Sequence, residues 1–215
     1  MTEINLKDVN IPKATAKRLP LYLRTFLNLD MEGIDRIRST QLSQIMQQPP
    51  ITIRKDFSYF GSLGRKGYGY DVQYMIKVLE EILDVRETKK IAVVGCGNLG
   101  KALINNGFRR NENLEIVCAF DNNADVVGDK VGGIVVADMK RFKSVVRDKG
   151  VSVAISTVPS QFAQEAVDVI VDADITAILN FAPDRVRVPK NVHVQYIDLT
   201  TELLTLILLD EKLGS

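Results

Sequence analysis

Tryptophan is absent from this 215-residue chain, histidine occurs once, at His193, and cysteine twice. One histidine and two scattered thiols cannot assemble a metal site by ligand spacing, so no bound metal is expected. Two cysteines without a secretory context argue against a disulfide framework and for a reducing, cytoplasmic setting. Long hydrophobic runs are missing as well. None approaches the ~20 residues that span a bilayer, and the N-terminus carries no signal-peptide pattern. Net charge is almost nil, 28 Lys+Arg against 27 Asp+Glu, and nothing in the composition suggests disorder. That neutrality hides a split. Residues 1–70 hold 11 basic against 6 acidic side chains, and the remainder 17 against 21. A basic front and an acidic back imply an anionic partner for the front.

What the chain does contain is organised around Ile91 to Gly100, where an apolar run meets Gly95-Cys96-Gly97-Asn98-Leu99-Gly100 and then a helical pattern through Ile104. This is the order of a strand, a phosphate-gripping turn and a helix start. The first glycine permits the turn, the second lets backbone approach a pyrophosphate, and the third lets the helix pack on its strand. Helix N–H groups and the positive dipole end then face the phosphates. About 20 residues on, as the fingerprint requires, a second apolar run ends in Asp121. Its carboxylate can accept both ribose hydroxyls and repels a 2′-phosphate, which favours NADH and NAD⁺ over their phosphorylated forms.

Behind this motif the pattern alternates as a doubly wound parallel sheet does. Strands are expected near 134–137, 151–156, 176–181 and 192–197, with helices over 139–147 and 161–171. Ligands of such sheets lie at strand C-termini, which adds Thr157, Pro159, Asn180, Phe181 and Asp198 to one rim. The last stretch, Leu199 to Leu213, is too apolar around its circumference for a solvent face and implies burial, most simply against a second subunit.

The front of the chain reads as helices. Pro12 looks like a helix-start proline, and residues 14–28 place Ala16, Leu19, Leu23, Phe26 and Leu27 inward, with a kink or break at Pro20. Ser39 or Thr40 can cap a second helix through Leu42, Ile45 and Met46. After a Gln-Gln-Pro-Pro turn, a third helix over 51–60 buries Ile53, Phe57 and Phe60. Three helices with a tight turn before the last make a helix-turn-helix. Its outer face would carry Thr52, Arg54, Lys55, Ser58 and Tyr59, with Arg54 suited to a forked contact with guanine and Lys55 to phosphate or guanine. A solvated helix face is the plain alternative. Gly61 to Tyr70, with four glycines around Arg65-Lys66, suggests a hairpin tip meeting a second anionic surface. Asp71 caps a further helix over 72–83, and the polar stretch 84–90 marks a boundary, giving an expected DNA-binding domain over 1–85 and a nucleotide-binding domain over 86–198.

Four segments carry a resemblance: Ile11 to Tyr22, Arg54 to Gly61, Gly67 to Asp71, and Gly95 to Gly100, with Asn180-Phe181 and Ile197-Asp198-Leu199 in addition. Together they are similar to the redox-sensing repressors of the Rex family, over essentially the whole chain. The resemblance implies a homodimer of winged-helix and Rossmann domains, with residues 199–215 as a helix swapped between subunits. It implies a palindromic operator, released on NADH and rebound with NAD⁺. It also implies a switch in which Arg18 pairs with Asp198 of the partner. A tyrosine that some relatives place near the nicotinamide aligns with Asn106 here, so the relay through that side chain does not carry over. Two other readings compete. A dehydrogenase would use the same dinucleotide site but finds no substrate domain in the remaining chain. A thiol-based regulator would use Cys96, placed where a helix N-terminus stabilises thiolate, or Cys118, although both also suit small apolar fillers.

Overall fold

A computed structural model describes residues 11–65, 67–85, 87–106, 108 and 113–213. The chain divides into two compact units at Glu87/Thr88. In the first, α1 (Lys13–Met31) starts behind Pro12 and runs unbroken through Pro20. Pro20 lies on the exposed face, where the carbonyl left without its N–H can be met by water, and the expected break does not occur. The buried stripe is Thr15, Leu19, Tyr22, Phe26 and Leu29. Ala16 and Leu27, expected inside, face out, because the true stripe advances by three and four residues from Thr15. After β1 (Arg36–Ile37), α2 (Ser39–Met46) buries Leu42 alone, and Ile45 is exposed. The residue before α2 is Arg38, whose N–H donates to Gln41 Oε1, so Ser39 opens the helix rather than capping it.

The third helix, α3 (Pro50–Ser58), takes a proline at its start, where the missing N–H costs nothing. Phe57 stands at the centre of this unit's core, its ring 4.7 Å from that of Tyr22 and 5.0 Å from that of Tyr70. The expected hairpin is β2 (Gly64–Arg65) antiparallel to β3 (Gly69–Asp71), and β1 adds a third strand on the other side of β3. Asp71 then caps α4 (Val72–Ile82), its carboxylate accepting the Tyr74 N–H at 3.0 Å. Helices α2 and α3 followed by this small sheet are a winged helix-turn-helix.

The second unit is built on seven strands: β4 (Lys89–Val94), β5 (Leu114–Asp121), β6 (Lys130–Val131), β7 (Ile134–Asp138), β8 (Val153–Ser156), β9 (Ala177–Asn180) and β10 (His193–Tyr196). Their order across the sheet is β10-β9-β8-β4-β5-β7-β6. All neighbours are parallel except the short β6, which turns back on β7. Leaving β6 aside, this is the strand order of the dinucleotide-binding sheet, with its reversal point between β4 and β8. Alternate residues of each strand serve opposite faces. Val93, Ala119 and Ile155 pack with Ile104 of α5 (Asn98–Asn106). On the other face Val94, Phe120 and Ala154 pack with α6 (Phe142–Lys149) and α7 (Ser160–Asp172) through Phe142, Val146, Val167 and Ile170. A final helix, α8 (Leu199–Leu213), has every side chain from 199 to 211 exposed.

Candidate nucleotide and DNA sites

The reversal point opens directly above the glycine loop. Gly95 has φ +92°, and a Cβ there would lie 2.9 Å from Val158 Cγ1. Its N–H donates to the Phe120 carbonyl at 2.9 Å and its own carbonyl accepts the Thr157 hydroxyl at 2.6 Å. At Gly100 a Cβ would fall 2.0 Å from the Gly95 oxygen. The first and third glycines are therefore required by the protein's own packing. Gly97 is different: a Cβ would meet nothing within 4 Å. Space is left over the loop backbone, beside first-turn N–H groups of α5 that have no partner within the helix. That opening is what a close approach of phosphate to the loop backbone requires.

Asp121 ends β5 next to the loop. Its Oδ2 accepts the Cys96 N–H at 2.6 Å and its Oδ1 the Asn123 N–H at 2.8 Å. The carboxylate thus ties the glycine loop to the second strand. Each oxygen retains lone-pair capacity for a ribose hydroxyl, while its charge repels a 2′-phosphate. Asn98 and Leu99 are exposed in the first turn of α5, Pro159 is exposed at the start of α7, and Phe181 is half-buried. Asn180, expected on the rim, is instead buried, its carboxamide exchanging hydrogen bonds with Ala182; it shapes the loop after β9 and presents no side-chain group. The alternation of β9 explains this, since Asn180 shares its face with Ile178. Phe162, half exposed in the first turn of α7, was not expected from the pattern.

Burial pushes the Cys96 thiol up to about 11, with the Asp121 charge adding to it. Burial alone drives Cys118 to about 11. Cys96 Sγ faces the Phe120 carbonyl inside the core. Neither sulfur is a thiolate near neutral pH, and the stabilisation expected at the helix start is outweighed. The thiol-regulator reading loses its nucleophile.

In the first unit Arg54, Lys55 and Ser58 project from α3 into solvent. Thr52 is half-buried. Tyr59 lies beyond the helix end and packs in part against the core, so it does not stand on the outer face. Arg54 Nη1 donates to Ser39 Oγ at 3.1 Å. Between α3, the start of α2 and the hairpin is a cleft of about 630 Å³ lined by Arg38, Ser39, Thr40, Arg54 and Ser58, with Ser62 opposite. The α2 residues were not foreseen as contact groups, although Arg38-Ser39-Thr40 carries the necessary cation and hydroxyls. Arg65 lies in β2, and Lys66 falls outside the described residues.

On the inner side of α3, Asp56 is buried, with only 2% of its surface exposed. It accepts from Thr15 Oγ1 at 2.8 Å, Arg18 Nε at 2.6 Å, Arg18 Nη2 at 2.7 Å and Tyr22 Oη at 2.7 Å. Burial raises its carboxyl, but the donors and the Arg18 charge outweigh that and hold it below the ordinary carboxylate range. Arg18 is thus paired within its own chain. Asp198 heads α8, accepting the Thr200 N–H at 3.0 Å and the Thr201 hydroxyl at 2.6 Å.

A winged helix-turn-helix joined to a dinucleotide-binding sheet with an open glycine cradle defines a class, the DNA-binding regulators that carry a nucleotide-sensing unit. Comparison with known proteins narrows it. Residues 10–58 match a family of putative DNA-binding protein N-termini, and residues 86–184 the CoA binding domain family. The chain is 61% identical over 204 residues to "Redox-sensing transcriptional repressor Rex 2" of Enterococcus faecalis, covering 95% of each. It is 48% identical to "Redox-sensing transcriptional repressor Rex" of Latilactobacillus sakei, covering 94% of this chain and 97% of that one. The crystal structure of RSP, a Rex-family repressor, in complex with β-NAD⁺ and operator DNA superposes with a TM-score of 0.86 at 31% identity over 95% of both chains. Its complex with β-NADH superposes at 0.83, over 95% of this chain and 97% of that one. The chain belongs to the Rex family of redox-sensing transcriptional repressors.

Proposed function

We propose that this chain works as a homodimer that holds a palindromic operator when NAD⁺ prevails and releases it when NADH binds. The observation that carries the reading is the likeness, over 95% of the chain, to a relative solved with both operator DNA and NAD⁺. The named repressors among its relatives support a regulatory rather than an enzymatic role. Gly95, Cys96, Gly97, Asn98, Leu99 and Gly100 would grip the pyrophosphate through backbone, Asp121 the adenosine ribose, and Thr157, Pro159 and Phe181 the rim of the nicotinamide side. Arg54 and Lys55 would read base edges, Thr52 and Ser58 would support them, and Arg65 and Lys66 would meet phosphate from the hairpin. Residues 1–85, 86–198 and 199–215 would act as reader, sensor and dimerisation helix.

NADH and NAD⁺ share their adenosine diphosphate part and differ at a nicotinamide cation. An apolar wall at Phe181 disfavours that cation by desolvation. Only unequal affinity of the two forms for two dimer shapes can move the equilibrium. Both recognition helices must stand about one DNA turn apart, ~34–36 Å, to read both half-sites, so a small respacing releases DNA. Arg18 gives Nε and Nη2 to Asp56 of its own chain, and its Nη1 is the group we assign to a contact with Asp198 of the partner subunit in the DNA-holding shape. The test is a titration of operator-bound protein with NADH, NAD⁺ and NADPH in turn. Release by NADH alone supports the reading; equal retention with all three ends it. Asp198→Ala should blunt the NADH response, and an unchanged response removes the pair.

A further inference from the structure

We infer that Asp56, held by Thr15, Arg18 and Tyr22, is a positioning residue that fixes how the recognition helix presents Arg54 and Ser58 to DNA; this rests on the DNA-reading assignment above. Helix α3 has nine residues, and Ile53 and Phe57 are its only buried apolar side chains. Apolar burial is non-directional. Two such anchors resist withdrawal of the helix but specify its rotation and sliding poorly. The Asp56 carboxylate supplies direction: four hydrogen bonds of 2.6–2.8 Å, all from one neighbouring helix. Its donors at positions 15, 18 and 22 lie on one face of α1 and span about 10 Å along it.

The placement of the carboxylate within α3 gives the clamp its effect. At about 100° per residue, Arg54 and Ser58 each stand about 160° from Asp56 around the helix. What grips Asp56 from behind therefore aims these two side chains forward. Stability alone does not call for this arrangement. A buried ion pair is commonly matched or bettered by apolar residues of similar shape, and the surrounding core already contains Phe26, Phe57 and Met75 at 2% exposure or less. A directional network in that place is suited to setting an angle.

The experiment removes the carboxylate and its two hydroxyl donors, Thr15→Val, Tyr22→Phe and Asp56→Leu together, and keeps Arg18, which the subunit pair needs and which is exposed enough to turn to water. The probes are the duplex most enriched from a randomised palindromic library by the natural protein and a scrambled duplex of equal length, both measured without nucleotide. If the natural protein does not prefer the enriched duplex, the DNA-reading assignment fails, and this inference with it. If it does, the triple variant should keep a cooperative tyrosine-reported melt. Its preference should fall at least about tenfold, the value of one forked base contact, with affinity for scrambled DNA within about twofold. A folded variant with the natural preference overturns the proposal. Should the variant not fold, Tyr22→Phe decides, since it removes one donor and keeps the ring. Loss confined to the enriched duplex supports the clamp; equal loss on both, or none, overturns it.

Discussion

Two glycines three residues apart should respond to alanine in opposite ways. At Gly100 the added Cβ lies 2.0 Å from the Gly95 carbonyl oxygen, and side chains essentially never come closer to backbone than 3.0 Å. One group must shift by an ångström or more. The oxygen is pinned by the Thr157 hydroxyl at 2.6 Å, so the first turn of α5 has to lift from its strand. Overpacking of this kind costs about 1–3 kcal/mol, or roughly 4–12 °C of melting temperature for a unit of this size. At Gly97 the same methyl meets nothing within 4 Å and stands where the pyrophosphate would lie. Gly97→Ala should therefore leave melting within about 0.5 kcal/mol of the natural protein while weakening NADH at least tenfold, about 1.4 kcal/mol. Calorimetry and the fluorescence of bound reduced nicotinamide read the two effects on the same samples. Unaltered NADH affinity in Gly97→Ala would refute the cradle. Unaltered melting in Gly100→Ala would refute the packing argument.

Asp121→Asn keeps the shape of the side chain but loses its charge and one acceptor, so NADH affinity should fall and discrimination against NADPH narrow, read by competition titration; unchanged discrimination would leave the carboxylate with a purely local role at Cys96. Asp56 is held low in the folded chain, so its contribution is present above the ordinary carboxylate range near 4 and is lost as pH falls through its folded value. Five of the six tyrosines lie in residues 1–85, and their near-ultraviolet signal should melt earlier as pH is lowered from about 4, a dependence that Asp56→Asn should flatten. Both cysteines, with thiols at about 11, should resist alkylation at pH 7.5 until the chain is unfolded, and prompt labelling of the native protein would contradict their burial.

The parts legible in the sequence were those with a period or a motif. Strands β4, β5 and β8 are apolar runs, and the glycine spacing ties one of them to a helix start, so these strands could be placed along the chain and the sheet class named. Strands β1 and β6 have two residues each and no period to read. Asp56 was hidden for another reason. It follows Arg54 and Lys55, and a run of charges reads as a solvated face; only the third dimension brings three hydroxyl or guanidinium donors of α1 onto one carboxylate. Ala16 and Leu27 went the wrong way because an apolar letter says nothing about which of two adjacent stripes meets the core; the stripe that does runs through Thr15 and Tyr22, which carry hydroxyls. Asn180 looked like a ligand group from its place at a strand end, yet a carboxamide can satisfy itself on the next turn, as this one does on Ala182.

The leucines and isoleucine of α8 from 203 to 209 are each 47–62% exposed, a greasy rod with no sheltered side. On the homodimer reading, the amount of protein made becomes a second input beside the redox state. Stability gained by pairing grows with the logarithm of concentration, so dilute chains pair less, melt sooner and lose the two-headed grip that a palindrome demands. Cells holding such a regulator near its pairing threshold would find that modest changes in its synthesis alter how firmly it stays on DNA, whatever the nucleotide ratio.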